Sequence, residues 1–146
     1  MENCLFCKII KGDIPCYKIY EDEFTLAFLD ISNNPEGHTL VVPKVHAENL
    51  FDVNEHVYKA VENTVRKVSK HYKNIGYADG VNTYINSGKQ AGQEVMHLHV
   101  HIIPRKENDG IVFSHTPNVS NQELSKTQEK LKLNNWFWVD NQSFVC

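Results

Sequence analysis

Three histidines alternate with apolar residues in one short segment of the chain, at His97, His99 and His101. In an extended strand successive side chains point to opposite faces, so the three imidazoles would share one face and the apolar residues the other. A neutral imidazole, whose ordinary pKa is about 6.5, can act as a nucleophile and can accept or donate a proton. The pattern indicates a site for stepwise substitution at phosphorus, and it disfavours a solvated face that is histidine-rich by chance.

A single metal ion bound by all three histidines is disfavoured by distance. A strand rises about 3.3 Å per residue, so the Cα atoms of His97 and His101 would lie about 13 Å apart. Neighbouring imidazoles could share one ion, but the outer pair could hardly do so. We therefore predict that the three histidines have different tasks.

Two of the four cysteines, Cys4 and Cys7, have the spacing of metal ligands, whereas Cys16 and Cys146 do not. Thiols stay reduced in the cytosol, so metal binding or apolar packing is favoured over disulfide formation. Two thiolates supply only half of a tetrahedral zinc site. Taken alone, the pair leaves both interpretations open.

Composition limits the class of protein. A chain of 146 residues with 41% hydrophobic and 23% charged residues predicts one domain plus a tail. The formal net charge of -3 offers no positive surface for nucleic acid, and no basic arm is present in the sequence. The N-terminus does not resemble a signal peptide, and no apolar segment reaches the roughly 20 residues that span a bilayer. We expect a cytoplasmic protein that binds neither nucleic acid nor membranes.

Apolar residues spaced by three and four from Val57 to Tyr72 predict one long helix. Asp52 and Glu55 resemble a capping box at its start, and Asn74 with Gly76 could end it in a left-handed conformation. Around this helix the sequence predicts a hairpin within residues 17–29 and strands over 38–42, 81–86 and 96–103. The predicted fold class is α+β, a mainly antiparallel five-stranded sheet that carries one long helix.

The last part of the chain has a weaker pattern. Residues 122–133 form a polar helix candidate, and residues 136–138 read Trp-Phe-Trp, which favours packing over ligand contact. An exposed Trp pair would instead suggest a partner interface. We predict a core domain over residues 1–106 and a C-terminal extension over residues 107–146 that packs on the domain or on a dimer interface.

Four separated blocks of the sequence resemble the histidine triad superfamily. Residues 92–103 carry its His-x-His-x-His signature, and residues 6–15, 26–31 and 38–46 match further blocks in the same order. The resemblance extends over about residues 4–106. It implies a HIT-like fold, a homodimer, and a nucleotide hydrolase or transferase that releases a nucleoside monophosphate. Its implied substrates are nucleoside 5′-phosphoramidates or dinucleoside polyphosphates, with a purine nucleotide such as AMP as ligand.

The resemblance also implies roles for individual residues. His99 would be transiently nucleotidylated, His101 would bind the phosphate and help to protonate the leaving group, and His38 would orient the imidazoles. Asp30 would supply the carboxylate for the ribose hydroxyls, and Asn86 and Gln93 would supply two phosphate-side amides. The apolar walls around the base would be formed by Phe6, Ile9, Ile14 and Phe28. Glu94 departs from the branch that has a small hydroxyl residue there, and its carboxylate would repel phosphate if it faced inward.

In zinc-containing members of the superfamily, two further histidines complete the site begun by the cysteine pair. Their positions correspond to His46 and His97 in this sequence, so all four ligands are present, and the resemblance implies a structural zinc ion. Two rivals from other classes remain open: a nucleotide-binding regulatory protein with incidental hydrolysis, and a zinc-dependent structural module that binds no nucleotide. The intact triad together with His38 favours retained catalysis.

Overall fold

The computed structural model describes residues 4–112 and 120–132. The predicted Trp-Phe-Trp contacts at residues 136–138 lie outside the described residues. The chain divides into two compact units, Met1–Gly110 and Ile111–Cys146. Among the residues described, no helix is long and apolar enough to cross a membrane.

The first unit is a five-stranded antiparallel sheet with a helix on each face. Its strands follow the order β1-β2-β3-β5-β4. In chain order the elements are α1 (Leu5–Lys11), β1 (Lys18–Glu21), β2 (Thr25–Leu29), β3 (Thr39–Pro43), α2 (Glu55–Asn74), β4 (Gly80–Tyr84), a single 3-10 turn (Lys89–Ala91) and β5 (Val100–Arg105). The predicted α+β class, the hairpin and the long helix are confirmed, whereas α1 was not predicted.

Alternation along the strands divides the core into two clusters. On one face, α2 packs Val61 and Val68 against Ala27, Val41 and Ile102 of the sheet. On the other face, the residues around α1 form a second cluster of Phe6, Leu26, Phe28, Leu40 and Val42. The strand residues between the first cluster's members therefore face α1, which places His101 on the α1 side of the sheet.

The start of α2 differs from the prediction. Asn54 is the N-cap, and its side chain accepts a hydrogen bond from the backbone N–H of His56 at 2.9 Å. Asp52 instead accepts hydrogen bonds from the backbone N–H groups of Glu48 and Asn49, at 3.0 and 2.9 Å. The predicted Asp52–Glu55 capping box is therefore wrong, because Asp52 stabilises the preceding turn and the chain enters the helix two residues later.

The histidine segment is also less regular than predicted. Strand β5 begins at Val100, so His97 and His99 precede it. The backbone N–H of His97 donates to the carbonyl of Val95 at 2.8 Å, which makes a tight turn there, and Leu98 donates to Ala47 at 2.7 Å. The prediction of three histidines on one strand is wrong, because this turn shortens the strand and redirects the first histidine.

In the second unit, α3 spans Asn121–Leu131. Its N-cap Ser120 accepts from the backbone N–H of Glu123, and the Glu123 side chain accepts from the backbone of Ser120, so a complete capping box starts the helix. The sequence prediction of a polar helix over residues 122–133 is confirmed. The predicted packing of the extension on the domain or on a dimer interface stays a prediction.

Candidate active site and metal centre

The α1 side of the sheet contains a cavity of about 350 Å³ beside the histidine segment. Six of the predicted site residues lie on its wall: Phe6, Asp30, His38, Asn86, His99 and His101. The wall is completed by Ser32, Leu40, Gly92, Glu94 and Val95. Residues from α1, from the loop after β2, from β3, from the loop after β4 and from β5 thus meet at one concave site.

The hydrogen bonding of His99 determines which of its nitrogen atoms is available. His99 Nδ1 lies 2.7 Å from the carbonyl oxygen of His97, which can only accept, so Nδ1 carries the proton. In the neutral ring the lone pair then resides on Nε2. The Phe6 ring contacts His99 edge-on at 5.3 Å between centroids and limits its rotation. The structure therefore offers a fixed imidazole whose Nε2 can attack an electrophile.

His38 and His101 lie side by side in the cavity and are hydrogen-bonded to each other. His38 Nε2 lies 2.8 Å from His101 Nδ1, and the ring of Tyr84 stacks on His101 at 4.2 Å between centroids. The buried Nε2 atom of His101 has no hydrogen-bond partner in the described parts of the chain. A buried polar atom without a partner is costly, so this nitrogen is suited to a ligand that supplies one.

Asp30 lies at another side of the same cavity. Its Oδ1 accepts hydrogen bonds from the backbone N–H of Ser32 at 2.8 Å and from the Ser32 hydroxyl at 2.5 Å. Burial favours the neutral carboxyl, but the hydrogen bonds from Ser32 together outweigh it and hold the pKa of Asp30 below its usual range. The carboxylate is charged at neutral pH and can accept hydrogen bonds from a polar ligand.

Beside the cavity, Cys4, Cys7, His46 and His97 bring one donor atom each to within 4.8 Å of one another. The Sγ atoms of Cys4 and Cys7 lie 3.4 and 3.5 Å from His97 Nδ1, Cys7 Sγ lies 3.4 Å from His46 Nδ1, and the two Nδ1 atoms are 3.3 Å apart. Tetrahedral zinc would separate sulfur from nitrogen by about 3.6 Å and two nitrogens by about 3.3 Å. The four residues therefore fit a tetrahedral metal ion.

Two features prepare this cluster for a metal. His97 Nε2 lies 2.9 Å from the carbonyl oxygen of Pro43 and donates to it, so the lone pair of His97 is on Nδ1 and faces the other three donors. Burial lowers the pKa of His97 to about 4 despite this hydrogen bond, so the ring is neutral, as a ligand must be. Cys4 is also the N-cap of α1, which holds Cys7 one turn further along the helix.

The sequence was compared with models of known protein families. The family model described as HIT domain matches residues 11–108. The chain belongs to the HIT domain family. The predicted resemblance is thereby confirmed, since the matched region contains His38, His46 and the complete histidine segment.

Individual HIT proteins resemble this chain closely. The Bacillus subtilis protein named Protein hit is 51% identical over 104 residues, which cover 71% of this chain and 72% of the relative. The Schizosaccharomyces pombe protein named adenosine 5′-monophosphoramidase hnt1 is 38% identical over 132 residues, covering 88% and 96%. A solved zinc-bound histidine triad family protein from Mycobacterium smegmatis has a TM-score of 0.73 at 38% identity, covering 80% of this chain and 85% of that one.

Several residues that the HIT resemblance assigned to nucleotide contacts do not line the cavity. Phe28 is buried and packs edge-on against Phe6, with 5.5 Å between the ring centroids. Ile9 packs against the same cluster, and Ile14 is half-buried outside the cavity wall. Phe28 and Ile9 therefore pack in the cluster that contains Phe6, whereas Phe6 itself reaches the surface of the cavity.

The side chain of Gln93 is occupied by the protein itself. Its Nε2 donates to the carbonyl oxygens of Glu48 and Val95, at 2.6 and 3.1 Å. Its Oε1 accepts from the backbone N–H of Gly88 at 2.7 Å. Gln93 therefore anchors the loop after β4, and of the two predicted amides only Asn86 faces the cavity.

Leu40 and Val95 are wall residues that sequence reasoning missed. A signal for Leu40 was available, because it lies directly opposite His101 in the antiparallel pairing of β3 with β5. Neighbours in register on one face of a sheet contact one another, so an apolar residue paired with a site histidine is a candidate wall residue. Val95 follows an irregular turn, and its position could not be read from an alternating pattern.

Because His101 is held neutral in the folded protein, the free energy of unfolding depends on pH. Burial, followed by the charges of His99 and His38, lowers its pKa from 6.5 to about 4, and Asp30 only partly opposes this. Between these two values the unfolded chain binds more protons, so the free energy of unfolding falls as the pH drops from about 6.5 towards 4. Above that range this histidine contributes no pH dependence.

The loss of stability that His101 causes on acidification can be measured by urea unfolding. The wild type and a His101→Gln variant are compared at about pH 8 and about pH 5. We expect a smaller loss of stability on acidification in the variant. His71→Gln removes an exposed histidine of α2 and should leave the wild-type loss unchanged. Equal losses in all three proteins would contradict the assignment.

Proposed function

We propose that this HIT protein is a hydrolase of nucleoside 5′-phosphate derivatives that works through a nucleotidyl intermediate on His99. The observation that carries the proposal is the hydrogen bond from His99 Nδ1 to the His97 carbonyl. It leaves Nε2 unprotonated beside a cavity large enough for part of a nucleotide. The name of the Schizosaccharomyces pombe relative supports the same reaction class.

The chemistry requires two displacements at phosphorus. In the first, a bond forms between His99 Nε2 and phosphorus while the bond to the leaving group breaks, and the leaving group takes a proton from His101 Nε2. When His38 Nε2–H donates to His101 Nδ1, His101 carries its own proton on Nε2, which is the tautomer this step needs. In the second, water attacks phosphorus, His101 takes up a proton, and His99 is released with a nucleoside monophosphate.

The remaining cavity residues would hold the nucleoside. Phe6 and Leu40 offer an apolar surface for a base, and the charged Asp30 offers acceptors for ribose hydroxyls. We propose a purine nucleotide such as AMP as the product that occupies the site. Both phosphoramidates and dinucleoside polyphosphates yield such a product.

We propose that the metal held by Cys4, Cys7, His46 and His97 is zinc with a structural role. Four protein ligands complete the tetrahedral shell and leave no position for a water molecule. The zinc-bound Mycobacterium smegmatis neighbour supports this choice of ion. The zinc ion would fix α1 and the segment before β5 relative to each other.

We also propose that two chains associate through β4. This strand is at the edge of the sheet, and the exposed side chain of its own Tyr84 lines one surface cavity together with the exposed Leu50. An unpaired edge with apolar neighbours is suited to pairing with a second copy. Light scattering should report twice the chain mass of 16.8 kDa, and a monomer would contradict the proposal.

The cytoplasmic location stays a prediction from the sequence.

The intermediate provides the direct test of the function. An adenosine 5′-phosphoramidate is mixed with the protein, quenched rapidly in base and examined by mass spectrometry of peptides. We expect an adenylyl group on His99 and on no other histidine. A nucleotide-binding regulatory protein would bind AMP but show neither the adduct nor turnover, and that result would reject the enzyme proposal.

A further inference from the structure

The cavity has an unusual electrostatic character for a site that receives phosphate. Among the residues that the structure describes, its wall contains two carboxylates, Asp30 and Glu94, and no lysine or arginine. Burial also lowers the pKa of His101 to about 4, so its imidazole adds no positive charge to the wall near pH 7. Sites for highly charged phosphate chains place cationic side chains against them. The described part of this wall therefore offers no cationic side chain to neutralise a polyphosphate.

The two carboxylates differ in how they are held. Asp30 is bound by the backbone N–H and hydroxyl of Ser32. Glu94 is exposed, and within residues 4–112 and 120–132 no hydrogen bond or ion pair involves its side chain. Its neighbour Gln93 is fixed by hydrogen bonds to Glu48, Gly88 and Val95, so the backbone that carries Glu94 is anchored. An uncompensated negative charge is therefore placed at a defined point of the cavity wall.

The position of Glu94 indicates which part of a substrate it meets. If the nucleoside occupies the side formed by Phe6, Leu40 and Asp30, the phosphorus lies at His99. The leaving group must then extend along the remaining wall, which the segment from Asn86 to Val95 supplies. Glu94 belongs to this segment and would face the leaving group.

We infer that Glu94 is a specificity determinant that selects phosphoramidates whose leaving amine carries a positive charge and discriminates against anionic leaving groups such as nucleoside polyphosphates. This inference rests on the proposed function and narrows it to one of the two substrate classes. A carboxylate on this wall attracts an ammonium group in the ground state and during departure, and it repels a phosphate or carboxylate. The step itself breaks the P–N bond, forms the bond from phosphorus to His99 Nε2, and releases the amine with a proton from His101.

The test uses three adenosine 5′-phosphoramidates of matched length, made from trimethylenediamine, propanolamine and β-alanine. Their leaving amines end in an ammonium, a hydroxyl and a carboxylate. For the wild type we expect kcat/KM to decrease in that order, and to be higher for the ammonium compound than for diadenosine tetraphosphate. In Glu94→Gln the ratio between the ammonium and carboxylate compounds should fall about tenfold, and in Glu94→Lys the order should reverse. Added salt should reduce the wild-type ratio.

Glu107→Gln is the matched control, because it removes the same charge from an exposed turn beyond the far end of β5. It should retain the wild-type ratio. If the wild type hydrolyses all three compounds but Glu94→Gln has the same ratio, or if the polyphosphate is the better substrate, the specificity inference is wrong and the proposed function stands. If the wild type forms no His99 adduct and hydrolyses none of them, both are wrong.

Discussion

Replacement of His99 by alanine is expected to lower kcat for an adenosine phosphoramidate by about 10⁴-fold, since the proposed nucleophile is lost. His101 cannot substitute, because its Nδ1 is paired with His38 at 2.8 Å and its ring is stacked on Tyr84. Steady-state release of AMP, with single-turnover rates as a check, measures the effect.

Binding separates loss of chemistry from loss of structure. The dissociation constant of AMP in His99→Ala should remain within about tenfold of the wild type, because Phe6, Leu40 and Asp30 still form the rest of the cavity. His71→Ala, which removes an exposed histidine from α2, should keep full activity. Wild-type turnover in His99→Ala would show that the nucleophile is a different group.

Replacement of Cys4 by serine is expected to remove the bound metal and much of the stability that it confers. Serine is a favoured N-cap residue, so the start of α1 should survive while a ligand is lost. A ligand present at about 1,000 times its dissociation constant stabilises the folded state by about 4 kcal/mol. We expect a loss of this order in the free energy of unfolding when zinc is present.

Elemental analysis and thermal unfolding check this result together. The wild type should contain one equivalent of zinc, and Cys4→Ser substantially less. Chelation should destabilise the wild type and leave Cys4→Ser unchanged. Cys16→Ser alters a half-buried cysteine outside the cluster and should keep both metal and stability. A zinc-free wild type of full stability would contradict the assignment.

The elements with clear periodicity were the ones that the sequence could predict. Helix α2 has a continuous apolar face, and β2 and β3 are bounded by turn-forming residues, so their existence follows from local pattern. Helix α1 was missed because it has only seven residues and its N-cap is Cys4, a residue type that rarely signals a helix start. A helix this short forms only when tertiary contacts such as those of Phe6 hold it.

The site was predictable to the level of residue type but not of contact. Alternation suggested separate tasks for the three histidines, yet it could not show the turn at Val95 that takes His97 towards the cysteines. Resemblance assigned Gln93 to the phosphate, and its hydrogen bond to the Glu48 carbonyl depends on a loop that is distant in sequence. Such pairings are decided by the packed fold and leave no local pattern.

His97 takes part in both centres at once. Its ring contributes Nδ1 to the cysteine cluster, while its carbonyl oxygen accepts a hydrogen bond from His99 Nδ1–H. The proposed metal site and the proposed nucleophile are therefore connected through one residue, by its side chain on one side and its backbone carbonyl on the other. By thermodynamic reciprocity, if a metal ion at the cysteine cluster changes the affinity of the cavity for a ligand, that ligand changes the affinity for the metal by the same factor. An inventory of separate metal and nucleotide sites would miss this linkage.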